Sequence, residues 1–257
     1  MKLNQINKFI IPAFFLCLIC APALQAQLIK SVEAFADYST ALKGFGSGKD
    51  YIRPDLKVND ANGMGGGLKV NFNVYDNYYI GVSLGYMLFS VHQDSALDRW
   101  NWLFWDTRYK GNVKDALSSD PSLSGILNPI QKLDLVPLII TFNAEFKPAK
   151  GLTINPSLGM GVAMYTRRLY LEETWQKKFE QLNYTFGYSY RNFAPDKKGN
   201  PFTLSAGVNL AYEFLDGFKV HSEMEYMQFI KTPGMAGSGE FPMEKIINVK
   251  LGLTILY

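Results

Sequence analysis

Apolar and polar residues alternate with a period of two in eight separate stretches of this 257-residue chain. Beyond the first 26 residues, no apolar run approaches the about 18 residues that a helical membrane span needs. Period-two alternation places one class of side chain on each face of a β-strand. In "FTLSAGVNLAYEF", Phe202, Leu204, Ala206, Val208, Leu210, Tyr212 and Phe214 share one face, and Thr203, Ser205, Gly207, Asn209 and Glu213 the other. "FKVHSEMEYMQFI" sets Phe218, Val220, Met224 and Tyr226 against Lys219, His221, Glu223 and Glu225. The final "VKLGLTILY" sets Val249, Leu251, Leu253, Ile255 and Tyr257 against Lys250, Gly252 and Thr254.

The other five stretches follow the same rule. They are "LIKSVEAFADYS", "GGGLKVNFNVY", "YYIGVSLGYMLFS", "VPLIITFNAEFK" and "LTINPSLGMGVAMYTR". Pro156 in the last has no N–H to give a ladder, so a bulge or a missing hydrogen bond is expected there. Strands two and three meet at "YDNY", four and five at "KPAKG", six and seven at "FLDGF". Those are tight turns. The alternate connections are long, at residues 41–61, 93–132, 168–201 and 231–244. Short and long connections therefore alternate, with both chain ends on the short side. The expected fold is all-β: a closed, antiparallel, up-and-down transmembrane barrel of eight strands, with short periplasmic turns and long extracellular loops. The run Leu182–Tyr190 also alternates, and either extends the sheet beyond the membrane or belongs to a ten-stranded ring.

Three features favour lipid over a soluble sandwich. The apolar faces run for roughly 9–11 positions, the length of a tilted membrane strand. The opposite faces carry glycine, serine, asparagine and charge, a poor sandwich core but a suitable lumen. Aromatic residues gather near strand ends, at Tyr75, Tyr78, Tyr79, Phe146, Tyr212, Phe214, Phe218 and Tyr257, where an interfacial girdle is expected. An even strand count leaves no open edge once the sheet closes.

The N-terminus, "MKLNQINKFIIPAFFLCLICAPALQAQ", has Lys2 and Lys8, an apolar run from Phe9 to Cys20 and small residues up to Ala26. That is the layout of a secretory signal, so residues 1–26 are expected to be cleaved and 27–257 to form the barrel domain. A lipid anchor at Cys20 is disfavoured by bulky Ile19. Cleavage removes both cysteines, leaving no disulfide or thiolate, and lowers the formal charge from +3 to +1. So small and scattered a charge argues against a nucleic-acid partner.

Twelve charged residues fall on the inward faces: Glu33, Asp37, Lys69, Glu145, Lys147, Arg167, Glu213, Lys219, His221, Glu223, Glu225 and Lys250. They are expected to form a polar network filling the lumen, because an unpaired buried charge is costly. His221, Glu223 and Glu225 lack an accompanying serine nucleophile, so no enzyme activity is expected. With two histidines and no mature cysteine, no metal site or cofactor is expected. In "LDRWNWLFWDTRYKG", Trp100, Trp102 and Trp105 either pack above the barrel or contact an extracellular ligand or partner.

The stretch Leu133–Ala163, "LDLVPLIITFNAEFKPAKGLTINPSLGMGVA", and the terminal "VKLGLTILY" resemble the small outer-membrane β-barrel superfamily of Gram-negative bacteria, the OmpA/OmpX/OmpW-like domains. The resemblance implies a cell-envelope protein in contact with outer-membrane lipids and lipopolysaccharide, without a C-terminal peptidoglycan-binding domain. It implies that Tyr257 is the assembly signal read by the barrel-insertion machinery. It also implies a structural or surface-interaction role or, alternatively, a narrow channel or binding barrel for small hydrophobic molecules.

Overall fold

The computed structural model describes residues 28–42, 58–93, 96–230, 232 and 234–257. The expected export signal at 1–26, with Cys17 and Cys20, lies outside the described residues. Eleven strands form one antiparallel sheet: β1 (Ile29–Ala41), β2 (Val58–Tyr75), β3 (Tyr78–Gln93), β4 (Leu123–Ala144), β5 (Phe146–Ala149), β6 (Leu152–Phe179), β7 (Tyr184–Phe193), β8 (Lys197–Gly199), β9 (Phe202–Leu215), β10 (Phe218–Ile230) and β11 (Lys245–Leu256). Eight of them close a ring in the order β1, β2, β3, β4, β6, β9, β10, β11, with β11 pairing back to β1. The first and last strands make the seam, from Ser31 opposite Leu256 to Ala41 opposite Ile246.

Three strands lie outside that ring. β5 continues β4 past Glu145 and pairs with the start of β6. β8 pairs briefly with β6, and β7, which contains most of the alternating Leu182–Tyr190 run, pairs with β6 above the ring. The long strands carry the sheet upward. β4 and β6 stay paired from Asn143 opposite Ser157 to Leu123 opposite Lys177. Two of the expected long connections are correspondingly shorter, because β4 begins at Leu123 and β6 runs on to Phe179.

Turn chemistry fixes the lower end. The β9–β10 turn places Gly217 at φ +79°, where a Cβ would be strained. Proline leaves two different marks on the ladder. β6 passes Pro156 without a register shift, so the expected bulge is absent there. At Pro137 the β3–β4 pairing is interrupted instead, with the break lying between Leu84 opposite Leu138 and Met87 opposite Leu135.

The outer wall is apolar and unburied. Ile80, Leu84, Leu138, Ile140, Phe142, Met160, Val208, Leu210, Met224, Leu253 and Ile255 all face outward, with Leu158 68% exposed and Leu251 62%. So continuous an apolar belt is not stable against water and requires an apolar surround. The aromatic girdle at the turn end comprises Tyr75, Tyr78, Phe146, Tyr212, Phe214, Phe218 and Tyr257. Tyr79 departs from it. Its ring turns inward and is buried beneath the Lys30 ammonium, 4.3 Å from the ring centroid.

Candidate functional site: the interior of the ring and its outer mouth

Inward-facing side chains stack in tiers from the turn end to the loop end. At the lower rim, Glu145 is clamped between Lys30 and Lys147, each 3.0 Å from one carboxylate oxygen. Lys147 reaches that carboxylate from outside, with its side chain largely exposed, so it belongs to the rim and not to the lumen. Glu213 is also a rim residue, half-buried, with Oε1 accepting the Gly217 N–H across the turn at 3.4 Å. Both fall outside the expected interior network because the last pair of each hairpin lies beyond the enclosed part of the ring.

The second tier is ionic. Lys250, on β11, donates to Glu223 Oε1 at 3.2 Å and Glu225 Oε2 at 2.8 Å, both from the adjacent β10. Asn248 Nδ2 donates to Glu225 Oε2 at 3.1 Å. On the other side of β1, Asn71 Nδ2 of β2 donates to Glu33 Oε1 at 2.5 Å and to Ser31 Oγ at 2.8 Å, while Lys69 Nζ donates to Asn143 Oδ1 of β4 at 3.2 Å. His221 Nδ1 lies 2.8 Å from Thr254 Oγ1. Its ring has room because residue 252 is glycine, where a Cβ would stand 2.8 Å from the imidazole. Asp37 lies opposite Lys250 in register, with both carboxylate oxygens buried and without a hydrogen-bond partner among the described residues. One oxygen each of Glu33, Asn71, Asn155, Asn209 and Asn248 is in the same condition. Such acceptors need water or a proton, so this tier is polar space.

Above it the interior becomes apolar, which the alternation did not foretell. Met87, Phe89, Leu133, Leu135, Ile139, Ala163, Met227 and Phe229 point inward and are buried. The connection between β10 and β11 folds down onto them, setting Phe241 4.5 Å from the Phe229 ring and 5.0 Å from Tyr165. Arg167 roofs this layer instead of joining the Lys250 network. It is 1% exposed, donates to Gln131, Gln93 and the Glu240 carbonyl, and lies beneath the Trp100 ring at 4.9 Å.

The tryptophans divide. Trp100 (3% exposed) and Trp102 pack with Leu97, Leu169, Leu171 and Ala194, and Trp100 Nε1 donates to the Pro195 carbonyl at 2.8 Å. Trp105 is only partly buried, stacked on Tyr109 at 5.8 Å. The Leu182–Tyr190 run takes the first of its two expected readings, extending the sheet as β7 beside β4 and β6, but sequence reasoning singled out none of the side chains on that surface. On β7, Tyr184, Phe186, Tyr188 and Tyr190 form an exposed row, with the last two rings stacked 5.8 Å apart. Tyr190 shares a 2.9 Å hydroxyl contact with Tyr109, and Asn192 bonds the Glu173 carboxylate beside them. Burial holds both phenols above the ordinary tyrosine value, and the Glu173 carboxylate adds to the effect. At the sheet's tip, the Lys177 ammonium bonded to Asp120 brings that carboxyl down to about 2.

A ring of eight antiparallel strands, apolar outside and charged within, has the build of a small membrane-spanning β-barrel. The arrangement is similar to that of outer-membrane barrels. No protein-family model matches the chain, and no curated protein does. Among solved structures the chain is similar to Neisserial surface protein A, with a TM-score of 0.43, 10% identity, and 88% of this chain and 96% of that one covered. It is similar to a major outer membrane protein of Thermus thermophilus, with a TM-score of 0.42, 11% identity, and 88% and 99% covered. It is also similar to Ail, the attachment invasion locus protein of Yersinia pestis, with a TM-score of 0.40, 11% identity, and 90% and 99% covered.

Proposed function

We propose that this chain is an integral outer-membrane barrel with a structural and surface-interaction role. In this reading residues 1–26 direct export and are removed, the short turns lie in the periplasm, and the outer sheet of β4, β6 and β7 stands outside the cell. Its partners are outer-membrane lipids and lipopolysaccharide around the wall and, during assembly, the insertion machinery. No catalytic or cofactor role is assigned to any of its residues.

The observation that carries this reading is the stacking of the ionic tier, the apolar tier and the Arg167–Trp100 roof across one lumen. An eight-stranded ring is narrow enough for side chains to fill. The alternative, a narrow path for small hydrophobic molecules guarded by the tryptophans, is less well supported, because Trp100 and Trp102 are packed inward and not presented at a mouth. The purified protein in planar bilayers should show no stable conductance, and alanine at Glu223 or Lys219 should not create a selective pore. A steady ion-selective pore from the unaltered protein would overturn this reading. Orientation is tested separately, with single cysteines at Ser189 and Asp216. An impermeant maleimide should label the first on intact cells and the second only after the outer membrane is opened.

A further inference from the structure

The lower rim carries an open cup of about 580 Å³ lined by Lys30, Lys147, Lys150 and Lys219, with Glu145 and Glu213. Four lysines against two glutamates leave the cup positive, and the pairing makes the excess local. Lys30 and Lys147 both spend their charge on Glu145. Lys150 and Lys219 have no ion pair among the described residues, although Glu213 lies opposite Lys219 in register.

Lys219 is the unusual member. It is 7% exposed, it lines the floor of the cup, and no hydrogen-bond acceptor among the described residues holds its ammonium. The neighbouring Glu213 is engaged across its own turn with the Gly217 N–H. The Lys219 stem is buried while its ammonium stays open to the cup, so an anion that supplies several oxygens at once is a fitting partner for it. Further inward the space contracts to about 20 Å³ between Glu33, Asn155, Asn209, Thr153 and Thr254, room for about one water. An anion that enters therefore stops at Lys219, because the passage beyond is too small and is bordered by the Glu33 carboxylate.

We propose that this cup binds a small oxyanion of the phosphate class, with Lys219 as its floor and Lys150 at its lip. The anion's donors come from strand ends and turns at one end of the ring, so the site does not depend on which compartment that end faces. Free phosphate and the phosphate of a lipid headgroup share this chemistry.

The test uses the whole folded protein in a phosphate-free alkyl maltoside detergent at constant ionic strength, since exposed lysines respond to salt alone. Inorganic phosphate is titrated in one arm, and monomeric dihexanoyl phosphatidylglycerol in another, with sodium chloride as the matched control. The readout is the chemical shift of the lysine ammonium-bearing carbons, with the barrel fold checked by heat-modifiable gel mobility. A saturable shift at Lys219 with inorganic phosphate supports the proposal with free phosphate as the source. A saturable shift with the lipid alone supports it with a headgroup as the source. Lys219→Met should weaken the response at least tenfold and Lys219→Arg should largely keep it. If Lys219→Met does not fold, the exposed Lys150→Gln serves in its place, with an expected weakening of two- to fivefold. No saturable response in either arm, or an undiminished response in whichever of these two variants folds and is measured, overturns the proposal.

Discussion

Lys250 holds two carboxylates, Glu223 and Glu225, from the neighbouring strand, and all three side chains are buried. Removing one partner of a buried ion pair leaves the other charged and desolvated, at a cost of about 3–5 kcal/mol. Lys250→Met should therefore lower the unfolding free energy by about that amount, read by urea titration of protein refolded into lipid vesicles. Adding Glu223→Gln and Glu225→Gln to the same protein should restore most of the loss, because the uncompensated charges go with it. Glu223, Glu225 and Lys250 were legible in the sequence, since a charge within a strict alternation must face the interior. Asp37 was legible in direction, while its lack of a partner was not. Nothing in a strand's own pattern specifies the reach of a side chain across the seam.

At the level of elements, β6 joins two environments. Its lower half alternates because one face meets lipid and the other the lumen, which is why the barrel strands could be read directly. Its upper half continues beside β7, beyond the closed ring, where the sheet no longer separates a lumen from an apolar surround and the period-two constraint relaxes. The apolar tier was hidden for a related reason. In "YMLFSV" and "LDLVPLII" both faces are apolar, so Met87, Phe89, Leu133 and Leu135 break no pattern while filling the lumen. The burial of Trp100 and Trp102 was one of two readings, and the sequence could not choose between them, because a loop has no register to state which side it covers. The outer sheet also carries a pH dependence. Tyr109 and Tyr190 titrate above the ordinary tyrosine value in the folded protein. The stabilisation they give is therefore fully present below pH about 10 and is lost as pH rises through their folded values. The protection of β7 amides, corrected for intrinsic hydroxide catalysis, should fall on that alkaline side relative to β10 and β11, and Tyr190→Phe with Tyr109→Phe should remove that difference.

For the molecule as a whole, closure depends on the seam. β11 meets β1 along its whole length, and the last backbone N–H, at Tyr257, donates to the Lys30 carbonyl at 3.2 Å. Deleting Tyr257 should reduce the heat-modifiable, folded fraction recovered from outer membranes several-fold, with synthesis and export unchanged. Normal recovery would remove the assembly role from that residue. The wall also bears on how the molecule carries load. β4 and β6 run without a break from the turn end of the ring to the tip of the outer sheet. A pull on that tip, directed along the strands, is a shear that strains many ladder bonds of the wall together instead of opening them one at a time. An object tethered to the aromatic row of β7 would pass its load through the β6–β7 ladder into that continuous wall.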